Sequence, residues 1–587
     1  MMDKNEFDHK SLLGNIWQIN NVDERLVLSS SQKNDISPFL AKLLLLRNID
    51  ENLVSNFLLP DFKNNLPDPF LLNDMKKSVD RVIYALKNDE KIGIIADYDV
   101  DGSTSASILY KFLEKYSKKI TVKIPNRLNE GYGPNIRIMD EMLAKDVKLI
   151  FTLDCGTTAF NIIDNKKYSS IDTIIIDHHI SESICPNVFS IINPNKLEDK
   201  SGFNQLAAVG VTFLFLMALR KSLRSINYFN KHNLEPNLLN LIDLVAIGTV
   251  CDVVDLTDYN RVFVIEGLKL ILNRKNKVIS KLIDNSNYIS TPTSTDLAFN
   301  IGPQLNAASR IDDSFLPFKL LTNKDMSEIE KISRKLLLLN EKRKLIENQI
   351  YEEALIQAEK QKNSNFILVY GNNWHNGVIG IIASKLVSKF NKPSIVISFG
   401  NSYGTGSARS IQSIDLSKII HLAKDKNILI DGGGHKMAAG IKIKKNLLTK
   451  FKSFLDDFFE DYSENLFVKI NKYDSLLSLD KINSDLMDEI LKLEPFGAGN
   501  NEPQFIIKDI KIQKTQIIKD KHVLIFFQND FSTNLKGICF NCINSVLGDY
   551  LLNYKKYKFL IGCTIKKDNF SSIPVPQIII KDAMIIN

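Results

Sequence analysis

The sequence predicts a multidomain α/β protein with a mainly parallel sheet in its N-terminal half and a β-rich C-terminal domain. From about residue 70 to about residue 270, short apolar, β-branched runs alternate with amphipathic stretches, which is the pattern of a parallel sheet covered by helices on both faces. Three runs have the length of strands: Ile92–Ala96, Leu149–Leu153 and Thr173–Ile176. Open sheets of this kind place their functional residues at the carboxyl ends of the strands.

Beyond this region the sequence divides into segments with different patterns. Residues 325–362 contain neither Pro nor Gly and alternate charged with apolar residues, which predicts a long connecting helix and leaves a coiled-coil partner helix as the alternative. A second α/β alternation follows, and then short β-rich runs typical of a small barrel such as an OB-fold. The predicted segments are an N-terminal extension (1–45), the parallel-sheet domain (46–324), the connecting helix (325–362), a second α/β domain (363–465) and an OB-like domain (466–587).

The overall composition is that of ordinary globular domains. The 587-residue chain is 44% hydrophobic and 24% charged, with a net charge of +7, a surplus too small to indicate a nucleic-acid partner by itself. Six cysteines are too few for a disulfide framework. We see neither a secretory leader nor an apolar run of about 18 residues, and we therefore expect a cytoplasmic protein without a membrane partner.

An acidic cluster follows the first predicted strand, in the segment IIADYDVDGSTS. Asp97, Asp99 and Asp101 occupy alternate positions, so in an extended segment they share one face. Crowded carboxylates repel one another, and a hard divalent cation such as Mg²⁺ or Mn²⁺ removes that cost. The Gly-Ser pair after Asp101 indicates a turn into a helix whose first amides could bind a phosphate. A solvated acidic turn is the alternative.

Three further motifs place acidic or imidazole side chains after apolar runs. Asp154 ends LIFTLD, Asp177, His178 and His179 end IIIDHH, and Asp252 follows a β-branched run in LVAIGTVCDVV. Each motif alone fits a helix cap or a surface pair. If each one ends a strand of the same sheet, however, the four motifs converge on one edge. Mixed carboxylate and imidazole ligands indicate a two-metal phosphoryl-transfer site, with Mn²⁺ favoured and Mg²⁺ as the alternative.

In order and separation, these motifs resemble the four signature motifs of the DHH phosphoesterase superfamily. The segments WHNGVIGIIASKL (374–386), GSARS (406–410) and GGGHKMAAG (432–440) resemble those of the DHH-associated domain. Two more segments, GPQLNAASRIDD (302–313) and EPFGAGNNEPQF (494–505), narrow the resemblance to the RecJ family of bacterial single-strand-specific exonucleases. The resemblance extends from about residue 70 to the end of the sequence.

This resemblance implies a ligand set for two ions, Mn²⁺ or Mg²⁺. Asp154 would bridge the two ions, and Asp177 would orient the histidines without binding metal. Asp97 is outside the part of the motif that the wider superfamily keeps, which runs from Asp99 to Ser105. The implied metal ligands, of which all but Asp97 are also the implied catalytic residues, are Asp97, Asp99, Asp101, Asp154, His178, His179 and Asp252.

The resemblance also implies residues that contact the phosphates and the 5′ end of DNA. The family usually has Arg where this chain has Gln304, and Gly where it has Ser309, a departure that removes the expected basis for one phosphate contact. His375 either faces the ligand or is structural, and Phe526 and Phe527 either stack on bases or belong to the core. The implied DNA-binding residues are Arg127, Asn306, Arg310, Ser407, Arg409, Gly433, Gly434 and His435.

The function implied by the resemblance is a 5′ to 3′ exonuclease that hydrolyses single-stranded DNA to 5′-mononucleotides in DNA repair and recombination. A helicase and a single-strand-binding protein are the expected partners. One alternative is a DHH hydrolase of short oligonucleotides, cyclic dinucleotides or polyphosphate, which would not need the EPFGAGN segment or the barrel. Another is a non-catalytic DNA-binding scaffold, against which the complete ligand set argues.

Overall fold

The structure is a computed structural model that describes residues 9–181, 184–286, 291–528, 535–568 and 575–586. The chain divides into two compact units. The terminal unit contains the described residues of 1–60, 461–496 and 500–587, and the central unit contains those of 61–460 and 497–499. Within the described ranges, we find no helix with both the length and the apolar character needed to span a lipid bilayer.

The first described elements belong to the terminal unit. They are β1 (Ile16–Ile19), α1 (Glu24–Asn34), α2 (Pro38–Leu45) and α3 (Val54–Leu58). The first two helices begin at caps, because the side chains of Asp23 and Ser37 accept hydrogen bonds from amides of the first helical turn. The apolar face of α2 is buried in the core of the terminal unit.

A parallel sheet organises the first part of the central unit. Its elements are α4 (Met75–Lys87), β2 (Ile92–Ala96), α5 (Val100–Leu113), β3 (Ile120–Lys123), α6 (Ile136–Ala144), β4 (Leu149–Leu153), α7 (Phe160–Ile163), β5 (Asp172–Ile176), β6 (Ser190–Ile192), α8 (Ala208–Ser225), α9 (Ile242–Cys251), α10 (Asp258–Leu272), α11 (Lys277–Asp284), α12 (Ser294–Asp296), α13 (Gly302–Ile311) and α14 (Leu316–Leu321). The five strands are all parallel, in the order β3-β2-β4-β5-β6. The predicted parallel sheet is confirmed, and its central strands are fully buried.

One predicted strand is wrong. The run LVAIGTV, which we expected to form a strand ending near Asp252, belongs to helix α9. Nearly every residue of α9 is buried, so its sequence is apolar on all sides and carries no helical periodicity. Periodicity alone cannot separate such a helix from a buried strand.

The predicted connecting helix is present as α15 (Met326–Glu359). It begins at Asp325, whose side chain accepts hydrogen bonds from the amides of Ser327 and Glu328. Its buried positions pack on α11, α13 and α14 and on the helix that follows in the next domain. The helix therefore buries its apolar face within its own chain, which removes the basis for the coiled-coil alternative.

The second α/β domain of the central unit has a mixed sheet. Its elements are β7 (Ile367–Asn372), α16 (Asn376–Phe390), β8 (Ser394–Phe399), β9 (Tyr403–Arg409), α17 (Leu416–Asp425), β10 (Asp431–His435), β11 (Ala438–Lys444) and α18 (Leu448–Phe459). The strand order is β10-β11-β9-β8-β7. Only β7 and β8 are parallel, and the other neighbours are antiparallel.

The remaining elements complete the terminal unit. They are β12 (Ile470–Tyr473), β13 (Ser475–Ser478), α19 (Ser484–Leu491), β14 (Phe505–Lys508), β15 (Ile512–Ile518), β16 (His522–Phe527), β17 (Lys536–Cys539), α20 (Val546–Leu552), β18 (Lys558–Asp568) and β19 (Val575–Ile586). Seven strands form one sheet in the order β13-β14-β18-β19-β17-β16-β15. The predicted β-rich C-terminal domain is thus confirmed, and β1 pairs in parallel with β12 beside it.

A buried aspartate holds the N-terminal residues in the terminal unit. Asp582 is fully buried, and its Oδ2 accepts hydrogen bonds from the Ser11 hydroxyl at 2.6 Å, the Asn15 amide group at 2.9 Å and the Trp17 indole N–H at 3.2 Å. A buried carboxylate is stabilised only when it is hydrogen-bonded in this way. The described part of the N-terminal extension is therefore bonded directly to strand β19.

Candidate metal centre and arginine cluster

Three aspartates lie at one level of the parallel sheet because the strands before them are in register. The last residues of β2, β4 and β5 are paired directly with one another. The next residue after each strand is Asp97, Asp154 and Asp177, respectively. All three are buried. The carboxyl edge of the sheet therefore brings together three of the side chains expected from the sequence.

The first turn of α5 supplies two more carboxylates. Asp99 caps the helix and accepts a hydrogen bond of 3.0 Å from the amide of Gly102. Asp101 is buried, and its two oxygens accept from the amides of Ala208 at 2.7 Å and Val209 at 2.8 Å, at the start of α8. A Cβ on Gly102 would lie 2.4 Å from the Asp97 carbonyl oxygen, so only glycine lets this turn pack so closely.

Asp177 positions the two histidines. Its Oδ1 accepts from the amides of His178 at 2.8 Å and His179 at 3.2 Å, and it lies 2.8 Å from His179 Nδ1. Its Oδ2 accepts from the Thr157 hydroxyl at 2.6 Å. Although burial raises the pKa of Asp177, the bonds with His179 and Thr157 hold that pKa below its usual value. Asp177 is therefore ionised and fully bonded, and it fixes the orientation of the His179 ring.

Asp252 reaches the same place from a helix rather than from a strand. It follows the last residue of α9, and its Oδ2 lies 3.4 Å from His178 Nε2. Asp154 Oδ1 is 3.3 Å from the same nitrogen. The residue after Asp252, Val253, has a φ of 64°, which is a strained conformation for a β-branched side chain.

The cluster fits the ligand set of divalent cations. Its oxygen and nitrogen atoms form three groups, each with all ligand atoms within 4.8 Å of one another: Asp97, Asp99 and Asp154; Asp154, His178 and His179; and Asp101, His178 and Asp252. Among the described residues, Asp97 Oδ1, Asp154 Oδ1 and His178 Nε2 are buried without a hydrogen-bond partner. Buried polar atoms are almost always bonded, and this mixture of donors suits Mn²⁺ or Mg²⁺.

Electrostatics in the cluster favour the same interpretation. Burial and the neighbouring carboxylates raise the pKa of Asp101 to about 7 and the pKa of Asp252 to about 9. Burial also raises the pKa of Asp154, which faces the carboxylates of the other aspartates. Burial and the charge of His179 lower the pKa of His178 to about 4. At neutral pH, His178 thus has a free lone pair, and the carboxylates gain from any added positive charge.

An arginine cluster lies beside these aspartates. The guanidinium carbon of Arg127 is 4.9 Å from the centroid of the Tyr98 ring, and Arg310 Nη1 donates to the carbonyl of Gly377 at 3.0 Å. Burial and the charge of Arg127 lower the pKa of Arg310 to about 10 and also lower the pKa of Arg409. Arg127 is therefore close enough to repel both Arg310 and Arg409, and a bound anion would relieve that repulsion.

Ser407 and Arg409 are adjacent outward positions of β9. Arg409 Nη1 donates to the Ser407 hydroxyl at 3.1 Å and to the carbonyl of Ala408 at 2.8 Å. The second turn of α16 packs against both, since a Cβ on Gly380 would lie 3.1 Å from Ser407 Oγ and 3.3 Å from Arg409 Nη2. A glycine there keeps the space in front of the serine and arginine open.

The two departures from the family pattern have structural explanations. Gln304 is buried, and its amide donates to the carbonyls of Leu282 and Asn300 and to the hydroxyl of Ser286. Ser309 is also buried and donates to the carbonyl of Asn306. Gln304 thus attaches α13 to the segment around Leu282, whereas the bond of Ser309 lies within α13 itself. The Asn306 side chain is half-buried on the same helix.

The glycine-rich segment GGGH forms an edge strand. Gly433, Gly434 and His435 belong to β10, which pairs antiparallel with β11. Gly434 has a φ of 152°, and a Cβ at this position would lie 2.3 Å from the carbonyl oxygen of Ala438. All three are exposed. His375 caps α16 by accepting a hydrogen bond of 3.1 Å from the amide of Gly377. This bond supports a structural role for His375 over a ligand-facing one.

Two residues of the site have no counterpart in our sequence predictions. The Tyr132 hydroxyl donates to the Asp154 carbonyl at 2.8 Å. Arg343 on α15 bonds Glu347, its Nε is buried without a partner among the described residues, and its charge lowers the pKa of Arg310. Tyr132 lies in the segment IPNRLNEGYG, which also contains Arg127. In the sequence, Arg343 is recognisable only as one member of an i,i+4 charge pair on a helix, which does not indicate a functional role.

Three family models match the chain. The DHH family N-terminal domain matches residues 91–249, the DHHA1 domain matches residues 363–461, and the RecJ OB domain matches residues 473–582. The matches follow one another in the order of the predicted domains. The C-terminal match bears out the expected OB-like nature of the β-rich domain.

Curated relatives and solved structures agree with these models. The single-stranded-DNA-specific exonuclease RecJ of Bacillus subtilis (strain 168) is 30% identical over 576 residues, which are 97% of this chain and 71% of the relative. The protein of the same name from Escherichia coli (strain K12) is 31% identical, covering 80% of this chain and 83% of the relative. The structure of RecJ with Mn²⁺ from Thermus thermophilus superimposes with a TM-score of 0.80 at 23% identity, covering 97% of this chain and 79% of that one. A structure of an exonuclease RecJ bound to manganese gives a TM-score of 0.59 at 29% identity, covering 68% and 96%.

Proposed function

Because the chain belongs to the RecJ family of single-stranded-DNA-specific exonucleases, we propose that it hydrolyses single-stranded DNA from the 5′ end and releases 5′-mononucleotides. The observation that carries this proposal is the convergence of unpartnered, buried atoms of Asp97, Asp154 and His178 beside an arginine cluster. Metal ligands next to arginines suit an enzyme that cleaves a phosphodiester close to a bound phosphate.

Seven side chains would hold two divalent cations, Mn²⁺ or Mg²⁺. Asp154 and His178 each belong to two of the three ligand groups, and Asp154 is the proposed bridge because a carboxylate has two oxygens to share between two ions. Asp177 orients His179 without being a ligand. When bound, the two cations would lower the pKa of a water nucleophile and neutralise charge on the attacked phosphate. The proposed ligands are Asp97, Asp99, Asp101, Asp154, His178, His179 and Asp252.

The arginine cluster would hold the phosphates at the 5′ end of the strand. Arg310 comes from the first domain of the central unit, and Arg409 and Ser407 come from the second. In the described part of the chain, Arg310 and Arg409 use only Nη1 for the hydrogen bonds given above, which leaves further N–H donors for a ligand. A guanidinium binds phosphate through two parallel hydrogen bonds. A 5′ terminal phosphate held there would place the next phosphodiester towards the aspartates.

Other residues of the central unit would contact the strand through its backbone. The exposed edge strand β10 offers unpaired amides together with an imidazole, and α13 offers an amide side chain. Such contacts are indifferent to base sequence, as an exonuclease requires. The residues proposed for this role are Arg127, Asn306, Gly433, Gly434 and His435.

The terminal unit carries a surface suited to single-stranded bases. Tyr554, Lys555 and Tyr557 line an open cavity of about 430 Å³, and aromatic rings with a nearby cation bind bases by stacking without regard to sequence. Phe527 is buried, so it belongs to the core. Phe526 is half-buried beneath the ammonium of Lys514, 4.5 Å from its ring centroid.

The test is digestion of single-stranded DNA labelled at the 5′ or the 3′ end, with Mn²⁺ or Mg²⁺ added. We expect labelled mononucleotide to appear first from the 5′-labelled strand and only at the end of digestion from the 3′-labelled strand. Release of the 3′ label first would contradict the proposed direction. Dinucleotides, cyclic dinucleotides and polyphosphate serve as competing substrates, and faster turnover of any of them would favour the other DHH hydrolases.

The ligand assignment is tested with Asp154→Asn. Asn is the appropriate replacement because Asp154 has a φ of 58°, which Asn accepts more readily than Ala. Asp146 has the same φ of 58° but is an exposed residue paired with Lys148, so Asp146→Asn is a matched control. We expect Asp154→Asn to lower kcat by about 10³-fold or more and to abolish Mn²⁺ binding measured by calorimetry, and Asp146→Asn to change neither.

We also propose partners and a location that follow from the substrate. Duplex DNA must be opened and kept open before a single-strand-specific enzyme can act, which a helicase and a single-strand-binding protein would accomplish. In a bacterial cell these proteins and the DNA are cytoplasmic, so this enzyme would act there in repair and recombination. Co-purification with either partner, retained after nuclease treatment of the DNA, would support this part of the proposal.

A further inference from the structure

A second cationic cleft lies in the central unit, at the ends of helices α5 and α9 that are far from the aspartates. Lys111, Lys115, Lys118 and Lys324 line an open cavity of about 360 Å³. Glu114 is the one acidic residue of its lining, and its carboxylate is already paired with Lys324 at 2.9 Å. With four lysines and one glutamate, the lining carries a surplus of positive charge.

Lys111 is the most informative residue of this lysine cleft. Its side chain is half-buried, and no hydrogen bond or ion pair to its ammonium is found among the described residues. The nearby carboxylate of Asp243 attracts this ammonium but is hydrogen-bonded to Asn276, at 2.7 Å from Oδ2, rather than to Lys111. Burial lowers the pKa of Lys111, since desolvation opposes the charged form. An ammonium that is partly desolvated without a bonded partner is stabilised by an anion from outside the chain.

The backbone around the cleft does not cancel this charge. The end of a helix carries about half a negative charge on its free carbonyls, which by itself disfavours an anion near the last turn of α5. Here the carbonyls of Leu113 and Glu114 accept hydrogen bonds from the amides of Tyr116 and Ser117 and from the ammonium of Lys118. Those carbonyls are thus satisfied, and the lysines determine the local potential.

We propose that the lysine cleft binds a phosphate-bearing ligand at a site separate from the metal centre. Its volume is within the range of small-molecule sites, roughly 300–1,000 Å³. Flexible ammonium groups bind phosphate as point charges. Asn237 and Asn240 add amide groups to the lining, and Pro236 and Leu241 add an apolar wall. This combination fits a nucleotide or one phosphate of a DNA strand.

The position of the cleft on the two helices separates it from the metal centre. Helix α5 starts at Asp99, the proposed ligand, and reaches the cleft in its last turn at Lys111. Helix α9 starts beside the cleft after Leu241 and ends at Asp252. A helix of 14 residues such as α5 is about 20 Å long. A phosphate bound in the cleft is therefore too far from the metal ligands to touch them.

Pyrophosphate binding to the full chain tests the proposal. Binding is measured by calorimetry in metal-free buffer, on protein that carries Arg409→Gln. This substitution reduces binding of pyrophosphate to the arginine cluster. We expect Lys111→Gln to weaken pyrophosphate binding by about fivefold or more, and the exposed pair Lys115→Gln and Lys324→Gln to weaken it similarly. The exposed Lys275 lies outside the cleft lining, so Lys275→Gln removes one charge, as Lys111→Gln does, and should leave the affinity within about twofold.

Two further ligands identify the source of the phosphate. If deoxyadenosine monophosphate shows the same dependence on Lys111 as pyrophosphate, the ligand is a free nucleotide. If only a single-stranded oligonucleotide shows it, the phosphate belongs to a DNA strand. The proposal is overturned if the Arg409→Gln protein does not bind any of the three ligands. It is also overturned if the two lysine variants bind them as tightly as Lys275→Gln does, because the exposed pair leaves the fold intact.

Discussion

The phenolic hydroxyl of Tyr132 donates a hydrogen bond of 2.8 Å to the backbone carbonyl of Asp154, whose φ is 58°. The left-handed conformation costs an L-residue about 1 kcal/mol, and a bond to the carbonyl of that residue helps to hold it. The same hydroxyl is 3.3 Å from Nδ1 of His179. One tyrosine thus connects the proposed bridging ligand with a proposed imidazole ligand, and we regard it as a positioning residue.

Tyr132→Phe should weaken metal binding without removing any ligand. The hydroxyl is lost, so the Asp154 carbonyl loses a bond of about 1 kcal/mol, and we expect the affinity for Mn²⁺ measured by calorimetry to fall by about three- to tenfold. Tyr116 also donates to a backbone carbonyl at 2.8 Å, that of Leu234, so Tyr116→Phe is the matched control. Equal Mn²⁺ affinity in the two variants would show that Tyr132 does not position the ligands.

Asp154→Asn should stabilise the protein when no metal is present. Burial and the facing carboxylates raise the pKa of Asp154, which means that its ionised form is unfavourable in the folded state. The neutral amide removes that cost, and we expect the melting temperature in chelator-treated buffer to rise by about 1–3 °C. This rise should disappear in Mn²⁺, which stabilises only the wild-type protein.

Asp177→Asn should destabilise the metal-free protein, in contrast to Asp154→Asn. Its carboxylate accepts hydrogen bonds on both oxygens, from Thr157 and from the histidine segment. An amide can accept on one side only, so at least one buried donor loses its partner, at a cost of about 1–3 kcal/mol. The melting temperature in metal-free buffer should therefore fall. If Asp154→Asn and Asp177→Asn shift the melting temperature in the same direction, the claim that Asp154 is unpaired and Asp177 is paired is contradicted.

The stability of the metal-free protein should decrease as the pH rises through neutrality. In the folded state the pKa of Asp101 is about 7 and that of Asp252 about 9, whereas in the unfolded chain an aspartate has a pKa of about 3.9. Between these limits the folded state keeps protons that the unfolded state has lost, so the free energy of unfolding falls with rising pH. The protons are displaced by metal, so the Mn²⁺-induced rise in melting temperature should be larger at about pH 8.5 than at about pH 6. An equal rise at both values would contradict the assignment of these carboxylates as ligands.

The sequence was sufficient for the parts of the site that depend on strand register. Asp97, Asp154 and Asp177 each follow a short apolar run of four or five residues that forms a buried strand. Their lengths and spacing fix the ends of parallel strands, and in a parallel sheet these ends share one edge. Placing the three side chains together therefore required no knowledge of long-range contacts.

Other parts depend on tertiary packing that no local pattern encodes. The α9 segment before Asp252 is apolar on all sides, so its helical state was hidden. Gly434 belongs to a strand because β11 pairs with it, although a glycine run favours a turn. Gln304 forms its bonds with residues up to 22 positions away. The partners of α9 and Gln304 are distant in sequence, whereas Gly434 pairs with Ala439, which is only five positions away in a hairpin.

Arg409→Gln should reduce the preference for a phosphorylated 5′ end. Glutamine is polar but shorter and uncharged, so binding of a 5′-phosphorylated strand should weaken by about tenfold, while binding of a 5′-hydroxyl strand should change by less than about threefold. The measurement is KM for both strands of the same sequence. Arg224 is an exposed arginine paired with Glu235, and Arg224→Gln should leave both KM values unchanged. An equal rise in KM for both strands would indicate that Arg409 contacts the DNA backbone and not the 5′ phosphate.

Asp582→Ala should loosen the N-terminal residues from the terminal unit. The substitution leaves the buried donors of Ser11 and Trp17 without their acceptor, and a loss of about 2–4 kcal/mol in the free energy of unfolding is expected. Trp17 is one of two tryptophans in the chain, so a Trp374→Phe background lets fluorescence report on Trp17 alone during urea unfolding. The exposed Asp480 provides the control, because Asp480→Ala removes an equal charge without a buried partner. If both alanine variants unfold at the same urea concentration, Asp582 is not what joins β1 to the sheet.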